Sequence, residues 1–121
     1  MPKREFHPRR RRCKEKNIGH HYERVIALES LDDVPRELGK DLYIVRRGQK
    51  DRWLVVACPC GCGDKIEANL MRTHYPHWRL KRHNDSTVSL RPSLWVSEER
   101  CGSHFWLIRS RVVWAFWEQE N

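Results

Sequence analysis

Trp53-Leu54-Val55-Val56-Ala57-Cys58-Pro59-Cys60-Gly61-Cys62 carries an apolar run directly into three cysteines at alternate positions. The run has the composition of a β-strand. The cysteines crowd soft ligands into five residues, a density that cysteines filling a core seldom reach. Gly61 and Gly63 supply the tight backbone that a chain wrapping an ion needs. Farther along, Cys101-Gly102-Ser103-His104 offers a second pair at an ordinary zinc spacing. Five candidate ligands, Cys58, Cys60, Cys62, Cys101 and His104, thus face an ion that takes four in a tetrahedron. Cys101 and His104 read as the firmer pair, and one of the three clustered cysteines is expected to be left over. The histidine favours Zn2+ over an iron–sulfur cluster.

A catalytic zinc keeps one position open for water and has an acid or base nearby. Here protein ligands are in surplus. The His-x-Glu that zinc deaminases place ahead of their cysteines is absent. His20, His21, His74, His77 and His83 read as loop or surface residues. The site is therefore expected to be structural, with no catalytic residue.

Around the cysteines the pattern is that of strands. Leu42 to Val45, a turn containing Gly48, and Trp53 to Ala57 read as a hairpin. Ile66, Ala68 and Leu70 alternate with polar neighbours, the period of a half-buried strand. Trp78 and Leu80, the turn Asn84-Asp85-Ser86, and Val88 and Leu90 read as a second hairpin, which Pro92 is expected to end. Phe105 to Ile108 and Val112 to Trp117 are apolar at successive positions and read as central strands. Arg109-Ser110-Arg111 between them lacks glycine and is a poor turn signal. Arg24 to Leu28 reads as a short strand. Ser30 suits an N-cap, with Asp32 and Asp33 in the first turn and Gly39 as a stop. The expected fold is mainly β: a small antiparallel sheet of hairpins, a zinc-ribbon-like clasp and at most one short helix.

The 121 residues suffice for one small domain, and a net charge of +8 suggests an anionic partner. That charge is unevenly placed. Residues 1–16 hold eight Lys/Arg and two Glu, so the arm carries +6 and the rest of the chain only +2. Residues 1–17 read as a disordered basic arm and 18–121 as a single zinc-stabilised β domain. Arg9, Arg10, Arg11 and Arg12 suit non-specific phosphate contacts, so nucleic acid is an alternative partner. No apolar run reaches the length of a secretory core or a membrane span, which gives a cytoplasmic reading with no membrane. The tryptophans are expected to fill the core or to form a surface for a protein partner.

Cys58-Pro59-Cys60-Gly61-Cys62-Gly63, Ser89-Leu90-Arg91-Pro92-Ser93 and Cys101-Gly102-Ser103-His104-Phe105-Trp106 together resemble a family of small bacterial and phage proteins. The resemblance spans residues 22 to 117. It implies a metal-binding β domain. It further implies an accessory role beside ubiquitin-like modifier and activating-enzyme genes. On this reading the chain is a non-enzymatic zinc-binding β module that binds another macromolecule in a ubiquitin-like modification or phage-related system.

Overall fold

In the computed structural model, residues 21–115 are described; the basic arm with Arg9 to Arg12 lies outside them. Eight strands form two four-stranded sheets: β1 (Arg24–Leu28), β2 (Asp41–Arg47), β3 (Lys50–Ala57) and β4 (Lys65–Asn69) in the first. The second contains β5 (Arg79–Arg82), β6 (Val88–Trp95), β7 (His104–Ile108) and β8 (Arg111–Trp114), hydrogen-bonded in chain order. All neighbours are antiparallel except β1 and β2, which run parallel. The one helical element among the described residues is a 310 turn, Leu31–Asp33, with Ser30 as its N-cap; Ser30 Oγ accepts from the Asp32 N–H at 3.0 Å.

The two sheets pack face to face. Leu42, Ile44, Leu54, Val56, Ile66 and Ala68 of the first meet Val88, Leu90, Leu94, Phe105, Leu107 and Trp114 of the second in one core. Each fully buried Leu or Phe here contributes about 1.5–3 kcal/mol. The first sheet is also covered on its other side. Tyr43, Val45 and Val55 pack there with Leu38, Leu31 and Val34 from the β1–β2 crossover. That double burial explains the unbroken apolar runs of β2 and β3, which a sheet wetted on one face would not tolerate.

Sheet two follows the opposite rule, and two expectations are corrected there. Pro92 does not end the strand; β6 runs on to Trp95. A register shift between Leu90 and Leu94 absorbs the proline, because at a bulge its missing N–H breaks no ladder bond. Of the last two strands, β7 is central in its sheet as expected and β8 is an edge, described to Ala115, with Trp117 outside the described residues. Neither is buried on both faces: Trp106, Ile108 and Val113, with Trp95 of β6, stand exposed on the outer face.

The β7–β8 turn forms without glycine. Arg109 and Ser110 adopt φ of 51° and 62°, the left-handed pair that two-residue hairpin turns require. Tertiary bonds hold it there. The Arg109 N–H donates to Ser89 Oγ at 2.9 Å, buried Ser110 Oγ accepts from the Val88 N–H at 3.1 Å, and Ser110 O accepts from the Tyr22 N–H at 2.8 Å. Replacing Ser110→Ala strands the buried Val88 N–H and is expected to destabilise by about 1–3 kcal/mol, measured as a lower urea midpoint.

Asp51 of β3 joins the sheets at the end remote from the cysteines. Its carboxylate pairs with Arg46 of β2 and, through two 2.8 Å bonds, with Arg82 of β5. The Arg82 hydrogen bonds hold its carboxyl below the usual carboxylate range. The stabilisation is therefore present above the unfolded value of about 4 and lost as pH falls through the lower folded value. Asp51→Asn is expected to lower stability by about 1 kcal/mol at neutral pH. The gap to the parent chain should close in strongly acidic buffer, as read by denaturant titrations at the two pH values.

Candidate functional site

β3 delivers the chain into Cys58 at one end of the sandwich, and the turn back to β4 is wound by Gly61 and Gly63, with φ of 88° and 92°. The Gly61 N–H donates to Cys58 O at 3.1 Å and the Cys58 N–H to Asp64 O at 2.9 Å, closing the loop. Cys101 enters from the β6–β7 connection of the other sheet, where the Val96 N–H donates to Ser103 O at 2.8 Å and Gly102 has φ of 69°. Arg100 pairs with Asp64 at 3.4 Å across the two loops.

The sulfurs of Cys58, Cys60, Cys62 and Cys101 converge within 4.8 Å of one another. Cys58 Sγ lies 3.5 Å from Cys60 Sγ and 3.4 Å from Cys101 Sγ. A tetrahedral metal with 2.3 Å bonds to sulfur requires sulfur–sulfur edges of about 3.8 Å, so the group can hold a metal ion after small adjustments. Ser103, buried beside it, places Oγ 3.2 Å from both Cys58 Sγ and Cys101 Sγ. A hydrogen bond from Cys58 holds the Cys101 thiol down to about 5, giving it thiolate character; the same bond, followed by burial, pushes Cys58 up.

All three clustered cysteines thus join Cys101, where one was expected to be left over. The structure does not bring His104 to this group. His104 opens β7 on the outer face of sheet two, and its Nε2 lies 2.7 Å from Ser93 Oγ. Ser93 sits in the β6 bulge, and bulges commonly re-aim a side chain beside an active site. Trp95, two residues on and 63% exposed, flanks the imidazole with ring centroids 5.7 Å apart. Trp78 Nε1 donates to Ser93 O at 3.1 Å, fixing the Ser93 backbone.

A second Ser–His contact exists between Ser89 Oγ and His83 Nε2 at 2.7 Å. Ser89 Oγ also accepts from the Arg109 N–H, which ties that hydroxyl to the β7–β8 turn. Ser93 lies in the Ser89-Leu90-Arg91-Pro92-Ser93 stretch with no chemical signal of its own in the sequence. The signal that marks it is the ligand surplus itself: four cysteines fill a tetrahedron, so His104 is not needed as a ligand.

Residues 30–115, more than half of the chain, match the family model BubE, described as the bacterial ubiquitination-like system serine protease. No curated protein and no solved structure matches the chain. No helix of the described residues is long and apolar enough to cross a membrane.

Proposed function

The chain belongs to the BubE family, and on that premise we propose that it is a serine protease of a bacterial ubiquitination-like system, with Ser93 as nucleophile and His104 as general base. The observation that carries this reading is the 2.7 Å contact between Ser93 Oγ and His104 Nε2. At that distance a neutral imidazole takes the hydroxyl proton as Oγ attacks a peptide carbonyl. The imidazolium then returns the proton to the leaving amine. Water, deprotonated by the same histidine, releases the acyl group from Ser93. Exposed Trp95, Trp106, Ile108 and Val113 beside the pair suit a polypeptide laid across the sheet.

This departs from the non-enzymatic module suggested by the sequence. The cysteine group keeps the structural role expected for it: four sulfur ligands leave a zinc no open position for water. We assign Cys58, Cys60, Cys62 and Cys101 as the ligands of one Zn2+, with Ser103 Oγ within hydrogen-bond reach of the Cys58 and Cys101 sulfurs. The ion would join loops from both sheets into one folding unit and steady the segment from Cys101 to His104. Thiolate ligation suits a reducing compartment, in keeping with the expected cytoplasmic location. The family description favours a polypeptide over nucleic acid as the partner.

Two measurements test these assignments. A fluorophosphonate probe is expected to label the parent chain at one residue, Ser93, and to leave Ser93→Ala unlabelled. His104→Gln should slow labelling by about 10²–10⁴-fold while the circular dichroism spectrum stays that of the parent chain. Labelling that survives in Ser93→Ala would remove the serine from the mechanism. Elemental analysis is expected to find one zinc per chain, and a strong chelator should unfold the domain, since structural zinc contributes about 10–16 kcal/mol of apparent binding energy. A chain that stays folded with no metal would overturn the zinc assignment.

A further inference from the structure

The outer face of sheet two carries a group of charges that the Ser93–His104 pair does not use. Arg72, Arg79, Lys81 and Arg91 line one groove of about 830 Å³, whose apolar lining is Leu80 and Ile108. Arg79 of β5 and Arg91 of β6 stand directly opposite each other in the sheet register. Like charges so placed destabilise a sheet. Two other cations on the groove are compensated: Arg82 by Asp51 at 2.8 Å and Arg109 by Asp85 at 3.3 Å. Arg72, Arg79, Lys81 and Arg91 have no hydrogen-bond or ion-pair partner for their side chains among the described residues. Opposed, uncompensated cations facing a groove form a site whose repulsion an anionic ligand would relieve.

We propose that this groove binds an acidic segment of the polypeptide substrate, its Asp or Glu carboxylates pairing with Arg79 and Arg91. The substrate role rests on the serine protease reading above; the acid-binding groove itself does not. Arg91 and Ser93 are two positions apart on β6, so an extended chain at about 3.3 Å per residue passes from one to the other within roughly two or three residues. A carboxylate in the groove therefore places a nearby peptide bond over the nucleophile. Guanidinium forks match carboxylates bidentately. No Trp, Tyr or Phe lines the groove, and its one aromatic ring, His83, is held by Ser89 Oγ at 2.7 Å, which favours a polypeptide over a nucleic acid.

The experiment uses the full-length chain and fluorescence anisotropy with labelled hexaglutamate, hexalysine and oligothymidylate at one ionic strength. Hexaglutamate is expected to bind the parent chain and Ser93→Ala equally. The double variant Arg79→Glu with Arg91→Glu should lose that binding by about tenfold or more and take up hexalysine instead. The milder Arg79→Gln, which removes the opposed pair without reversing charge, should bind hexaglutamate more weakly with a melting temperature no lower than the parent's. The groove assignment fails if the parent chain ignores hexaglutamate, if charge reversal leaves its affinity unchanged, or if oligothymidylate binds more tightly. Fluorophosphonate labelling of Ser93 should be the same in parent and double variant. A chain that binds hexaglutamate but resists the probe keeps the groove and loses the protease reading; one that is labelled but ignores hexaglutamate does the reverse.

Discussion

Four cysteine sulfurs drawn within 4.8 Å of one another bind the β3–β4 connection of one sheet to the β6–β7 connection of the other. The core between the sheets is built from β-strand side chains and closed by Tyr22, Leu70, Val96 and the buried cysteines from the flanking loops. A thin core of this kind gains most from a cross-link that closes a long loop. Cys58 and Cys101 are 43 positions apart and 3.4 Å apart at sulfur, so the convergence constrains the whole stretch from the end of β3 to the start of β7. Asp51 and Arg82 fasten the same two sheets at the remote end, with the weaker grip of a partly exposed ion pair.

That constraint reaches the candidate catalytic pair through the chain itself. Cys101 lies three residues before His104, and Ser103 between them is buried against the cysteine sulfurs. The histidine therefore leaves an anchored loop as β7 begins. On the facing strand the bulge around Pro92 turns Ser93 toward it. The cysteine group and the Ser93–His104 pair are thus neighbours without sharing a residue. The loop that supplies the one positions the other.

The two sheets divide the labour by how they are covered. The first is buried on both faces, which commits its apolar side chains to packing. The second is buried on one face, and its open side carries the serine, the histidine, exposed tryptophans and the basic groove. Charges and aromatics that look scattered along the sequence fall together there, because alternate residues of adjacent strands share a face.

The strands were legible in the sequence because their apolar and polar residues repeat with the period of a pleated chain, and the cysteine cluster because thiolates at such density have few other uses. Ser30, Gly61 and Gly63 could be placed in advance for the same reason: caps and tight turns depend on local geometry. What local pattern could not decide was partnership across space. Cys-x-x-His is as good a zinc spacing as any, and only the fold shows His104 on the far side of its strand from Cys101's sulfur group, facing Ser93. Pro92 reads as a terminator until a register shift absorbs it, and Arg109-Ser110 reads as a poor turn until Ser89, Val88 and Tyr22 hold it in place. The sequence by itself determined a β protein with a cysteine cluster able to hold a metal. Tertiary structure alone decided which histidine meets which serine, since residues eleven apart on neighbouring strands are joined by register and not by spacing.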